Sequence, residues 1–179
     1  MYVSLLRAVN VGGRNALAMP AVREVYESIG HRDVVTYLQS GNVVSTATAR
    51  RGAAVAAAAG EALRERLGVD ATVIVRTAAE MADVAAGWPF PNDPTGGRDA
   101  HVTFLGAAPL GSEAESAPFD AGPYAPDQAF VRGREVYLRL PNGYGRTKLD
   151  NRFFERRFGV AATTRNWRTV TELAALAAR

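Results

Sequence analysis

Cysteine is absent from this chain of 179 residues, and lysine nearly so: Lys148 stands alone beside twenty arginines. The first absence removes disulfides, thiolate nucleophiles and cysteine-bound metals, and fits a reducing compartment. Histidine is also scarce. His31 and His101 have no ligand-like spacing to each other or to a carboxylate pair, so no metal is expected. No apolar run approaches the length of a membrane span, and the stretch from Met1 to Arg7 is too short for a signal peptide, so the expected setting is cytoplasmic with no membrane partner. Also missing are the Walker spacing Gly-x-x-x-x-Gly-Lys-Ser/Thr and a nucleophile-elbow sequence. Nucleoside triphosphate binding by the Walker route and a triad of Ser40, His101 and an aspartate are therefore set aside, and no cofactor is expected.

What is present reads as an α+β protein. Residues 2 to 10 form an apolar, β-prone run that Gly12-Gly13 interrupts, and a helix follows with Pro20 in its first turn and Val22, Val25, Tyr26 and Ile29 on one face. Val34 to Gln39 and Asn42 to Thr46 are two short strands joined at Ser40-Gly41. A helix from about Arg51 to Leu67 places Val55, Ala59, Leu63 and Leu67 at four-residue steps, and Thr72 to Arg76 adds a fourth strand. The order βαββαβ predicts a ferredoxin-like antiparallel sheet over residues 1–77, with both helices on one face. Residues 78–179 form a smaller second α+β subdomain, expected to pack with the first as one unit. In it Met81, Val84, Ala85 and Trp88 share a helix stripe, strands run over 101–105, 128–132 and 135–140, and the region from Gly106 to Pro126 is irregular and acidic in its middle.

The lone lysine sits in Pro141-Asn142-Gly143-Tyr144-Gly145-Arg146-Thr147-Lys148, which reads as a loop opening into a helix. Thr147 and Asp150 have the spacing of a short capping box, and Lys148, Arg152 and Arg156 fall on one helix edge while Leu149, Phe153, Phe154 and Phe158 face inward. Cations at a helix start oppose the peptide dipole by about 0.3 to 1 kcal/mol each, and an anion relieves the mismatch. A second helix start at Thr164-Arg165-Asn166-Trp167-Arg168-Thr169 repeats the pattern, with Asn166 or Thr169 as cap and Trp167 read as core. Arg7, Asn10, Gly12, Gly13, Arg14 and Asn15 cluster at a strand end as a weaker anion nest. A solvated basic face paired with acids elsewhere would produce the same residues without a ligand.

Four of these stretches resemble the bacterial family known as domain of unknown function 1697: Arg7 to Gly13, Tyr37 to Val44, Pro141 to Leu149 and Thr163 to Trp167. The resemblance implies a soluble, cytoplasmic bacterial α+β protein with a ferredoxin-like first half. It implies no activity, so no catalytic residue is carried over. Ser45 departs from the family, which usually has an aromatic there.

The residues point first to a non-catalytic protein that binds an anion, either nucleic-acid backbone or a phosphorylated small molecule. The ligand would lie between Gly143 to Lys148 and Arg165 to Arg168, drawing on Asn142, Tyr144, Arg146, Lys148, Arg152, Arg165 and Arg168, with Arg7, Asn10, Ser40 and Asn42 lining the same cleft. A second reading is an enzyme on a phosphorylated or carboxylated metabolite, with Arg146 and Lys148 as clamps and Ser40 or Tyr144 moving a proton. A third is a homo-oligomer in which the basic stripe meets Glu113, Glu115 and Asp120 of another copy. RNA-recognition by sheet aromatics is disfavoured, because Val3-Ser4-Leu5-Leu6 and Val43-Val44-Ser45-Thr46 carry none.

Overall fold

The structure, a computed structural model, describes residues 1–10, 17–49, 51–91, 94, 98–109, 117–119 and 122–179. Gly12, Gly13, Arg14 and Asn15 of the predicted nest lie outside the described residues, as do Glu113, Glu115 and Asp120. The chain divides into two compact units, Met1–Asp83 with Glu172–Arg179, and Val84–Thr171.

The first unit contains β1 (Tyr2–Leu6), α1 (Met19–Ser28), β2 (Arg32–Tyr37), β3 (Asn42–Thr46), α2 (Gly52–Leu67) and β4 (Val73–Thr77). Its sheet runs β2-β3-β1-β4 with every pair antiparallel, which is the ferredoxin-like order that the sequence predicts. Tyr2, Leu6, Val43, Val73 and Val75 turn one face toward Val22, Val25 and Tyr26 of α1 and Val55, Ala59 and Leu63 of α2. That core also holds polar groups. His31 is buried, bonds Ser45 Oγ through Nδ1 at 2.8 Å and meets the Tyr26 ring edge-on at 5.2 Å. A serine at position 45 thus gives this core a hydrogen-bonded histidine where an aromatic would fill volume. On the opposite sheet face Val3, Leu5, Val44, Ile74 and Arg76 share a register and are buried, so that face offers no open platform for bases.

Helix α3 (Ala78–Ala86) follows, and the second unit continues with β5 (Ala100–Leu105), β6 (Ala117–Phe119), β7 (Gln128–Arg132), β8 (Glu135–Arg139), α4 (Asn151–Phe158), β9 (Ala162–Asn166) and the start of α5 (Trp167–Ala177). The sheet order is β6-β7-β8-β5-β9, again antiparallel throughout. Leu105, Ala129, Val131, Val136, Leu138 and Ala162 pack against Leu149, Phe154 and Phe158, fixing α4 on one face. On the other face Tyr137 donates to Val84 O at 3.4 Å, and Arg132 lies 5.4 Å from the rings of Phe130 and Tyr137. Trp167 is buried and packs edge-on against Trp88 at 5.0 Å, the core role expected of it.

The second expected helix start is present: α5 begins at Trp167, and of the two candidate caps it is Asn166 that accepts from Thr169 N. Two strands are additions to the sequence reading, the first being β9, which runs up to Asn166. Part of the region read as irregular, Ala117–Phe119, is strand β6 at the sheet edge.

Candidate functional site

After β8 the chain must reverse to bring α4 onto the sheet, and a glycine-dependent turn does this. Gly143 takes φ 78°, a left-handed value suited to glycine, and its N–H bonds Leu140 O at 2.8 Å. A single 3-10 turn over Tyr144–Arg146 follows, and Thr147 is extended. Helix α4 begins later than the sequence suggests, at Asn151. Its cap is Asp150, whose Oδ1 accepts from Phe153 N at 2.8 Å. Thr147 makes no capping box. Its hydroxyl donates to Asp127 Oδ2 at 2.6 Å and accepts from Leu149 N at 3.0 Å. Lys148 therefore precedes the helix instead of sitting on its edge with Arg152 and Arg156, and the positive helix pole already has a carboxylate at Asp150.

The turn nevertheless gathers charge. Asn142, Arg146 and Lys148 line one pocket of about 410 Å3 with Pro123, Tyr124, Ala125, Pro126 and Asp127. Arg146 and Lys148 are exposed, and among the described residues neither forms an ion pair with a carboxylate. The carboxylate that lines the pocket, Asp127, has Oδ2 committed to Thr147. The 123–126 part of the lining is less polar: the half-buried Tyr124 meets Phe153 at 5.2 Å between ring centres in a T-shaped contact, with proline at 123 and 126. Asn142, Arg146 and Lys148 were legible as site residues from the sequence; Tyr124 and Asp127 were not, although Pro123-Tyr124-Ala125-Pro126-Asp127 marks a turn that carries an aromatic and an acid.

The other expected residues go elsewhere. Tyr144 turns inward and stacks on His101 at 5.3 Å between ring centres. Burial raises its pKa, against the opposing pull of its hydrogen bonds to Thr164 and the Asn151 backbone and of the nearby Arg165 charge. Burial likewise lowers the pKa of His101, partly offset by Asp99. Arg165 is buried in β9, opposite Val102 in register, and donates to Thr163 Oγ1 at 2.8 Å and Thr164 O at 2.9 Å. That is the sheet face away from α4. Burial pulls its pKa down to about 10, so it remains charged at neutral pH without lining the pocket. Arg168 is exposed on the first turn of α5, where Asn166 caps Thr169 N at 2.8 Å, and Arg152 is exposed on α4; neither lines the pocket.

In the first unit, Asn10 has φ 55° and is used by its own loop, donating to Leu17 O and Gln39 O and accepting from Leu17 N. Asn42 is fully buried and bridges the hairpin by donating to Tyr37 O and Ser40 Oγ. Arg7 is half-buried, and its backbone N–H bonds Thr72 O. These contacts give Asn10, Ser40 and Asn42 a structural task in shaping loops.

Residues 1–137 match the family described as "Protein of unknown function (DUF1697)". The chain belongs to this family. The match takes in the stretches from Arg7 and from Tyr37 that carried the resemblance; Tyr124 and Asp127 lie inside it, and Asn142, Arg146 and Lys148 lie beyond it. No curated protein matches the DUF1697 chain significantly. Among solved structures it is similar to the conserved bacterial protein SP0830 from Streptococcus pneumoniae, with a TM-score of 0.64 and 18% identity over 98% of this chain and 97% of that one. At that identity the likeness is one of fold.

Proposed function

We propose that this DUF1697 protein binds an anionic ligand in the pocket between the 123–127 segment and the turn that carries Asn142, Arg146 and Lys148. One observation carries the reading: two exposed cations line the same pocket, neither forms an ion pair among the described residues, and the lining carboxylate is engaged by Thr147. Like charges held together on a folded surface repel, and an anion that bridges them turns that repulsion into attraction. Arg146 supplies a planar fork, Lys148 a compact ammonium and Asn142 a neutral donor, a set suited to phosphate or carboxylate oxygens. An open pocket lined mostly by exposed residues favours binding over chemistry on an enclosed substrate. The candidate proton carriers add nothing to an enzymatic reading, since the Tyr144 hydroxyl is hydrogen-bonded beneath the turn and Ser40 is tied to Asn42.

The test is thermal stabilisation by inorganic phosphate and pyrophosphate, measured on the wild type and on Lys148→Ala. A ligand that binds only the folded chain raises the melting temperature in step with its concentration. Loss of the lysine is expected to weaken binding by about tenfold, as for removal of one charge-assisted hydrogen bond, while the unliganded melting temperature stays put. Equal stabilisation of both proteins, or none of either, would remove the assigned role.

A further inference from the structure

We infer that the anion taken by this pocket is the phosphate of a nucleotide, whose base lies against Tyr124 and whose phosphate meets Arg146 and Lys148; the inference rests on the anion-binding reading above. The two chain segments that line the pocket differ in chemistry. One supplies Arg146, Lys148 and Asn142, and the other Pro123, Tyr124, Ala125 and Pro126. A bare inorganic anion uses only the first. The second suits a flat apolar group attached to the anion, because an aromatic ring and proline flanks offer surfaces on which a planar ring stacks.

Tyr124 is prepared for that contact. Its ring meets Phe153 of α4 at an interplanar angle of 73° and 5.2 Å between centres, so it is held against the helix while lining the pocket. Holding an aromatic in place before binding reduces the ordering cost of stacking. Asp127 adds discrimination. Thr147 donates to Oδ2, which leaves Oδ1 to accept from a sugar hydroxyl or an exocyclic amine. A pocket of about 410 Å3 falls within the range of small-molecule sites, and a mononucleotide is of matching size. An aromatic wall, a basic wall and one carboxylate acceptor correspond to base, phosphate and sugar. A free nucleoside monophosphate and one unit of a single strand present the same groups.

The test compares adenosine 5′-monophosphate, ribose 5-phosphate, inorganic phosphate and a five-residue oligoadenylate by calorimetric titration on the wild-type chain. The nucleotide is expected to bind about tenfold more tightly than ribose 5-phosphate, the scale of one base stacked on one aromatic side chain. Tyr124→Phe keeps a ring and keeps that advantage; Tyr124→Leu keeps bulk against Phe153 and loses it. Equal affinities for the nucleotide and ribose 5-phosphate on the wild type, both weakened by Lys148→Ala, would overturn the base contact and leave the anion pocket standing. If none of the four ligands binds, both readings fall. The wild-type comparison decides even if Tyr124→Leu unfolds the loop. An oligomer that binds more tightly than the monophosphate, with a steeper salt dependence, identifies a strand as the source; equal binding identifies the free nucleotide.

Discussion

At position 41 a side chain has nowhere to go. Gly41 adopts φ 77°, and a Cβ there would lie 2.8 Å from Leu6 Cβ and press into Val9 Cγ2, both buried in the first core. Gly41→Ala thus combines left-handed strain with a steric collision, and we expect it to cost about 2–4 kcal/mol of stability, read from the urea midpoint. Gly145, in the pocket turn, is a fitting control. Among the described residues, no atom beyond its chain neighbours lies within 4 Å of a Cβ built there, and its φ is not positive, so Gly145→Ala is expected to change stability by no more than about 0.5 kcal/mol. The same scale separates two cations that look alike in the sequence. Arg165 is buried and hydrogen-bonded within its strand, whereas Lys148 is exposed and lines a pocket. Burial is a property of the folded sheet, and the local motif Thr-Arg-Asn-Trp does not contain it.

Among the elements, α4 shows how a single side chain places a boundary. Asp150 takes the extended conformation and accepts from Phe153 N, so the helix starts at Asn151 and Lys148 is left in the pocket turn. Replacing the cap, Asp150→Ala, is expected to cost about 1 kcal/mol, measured as a lowered denaturation midpoint, because one helix donor loses its acceptor and the pole its counter-charge. The boundary was misread from the sequence because Thr147 three residues before Asp150 imitates a capping box, while in the fold its hydroxyl goes to Asp127. Regular amphipathic elements were legible: Val22, Val25 and Tyr26, and Val55, Ala59 and Leu63, face the core as their spacing requires. Strand β9 was not. Its run Ala162–Asn166 lacks an apolar alternation, and its place is set by pairing with β5, where Thr103 and Thr164 share a hydrogen bond of 2.7 Å. Half of the pocket was hidden for a related reason. Tyr124 and Asp127 meet Arg146 and Lys148 because β7 and β8 pair as a hairpin, carrying segments before and after it to one place.

Across the whole molecule, the scarcity of histidine ties the pH dependence between about 5.5 and 7 to two side chains, one in each unit. His31 is buried against Tyr26 and Ser45, and His101 is buried against Tyr144 with Asp99 nearby; burial lowers the pKa of both. The neutral ring is therefore favoured in the folded state, and the unfolded chain takes up protons at higher pH than the folded one. The stability that this contributes is present in full above the unfolded histidine pKa of about 6.5 and is lost as pH falls from there through the lower folded values. Thermal melts are expected to be level between about pH 7 and 8 and to decline below about 6.5, by up to about 1.4 kcal/mol per pH unit for each histidine. His101→Phe retains a ring for Tyr144 to stack on, and His31→Gln retains a partner for Ser45. Each substitution is expected to remove its share of the decline, and the double variant to flatten the curve over the pH range where histidine titrates. A wild-type melting temperature that rises as pH falls from 7 to 5.5 would mean that the charged rings are favoured in the fold, the reverse of what their burial requires.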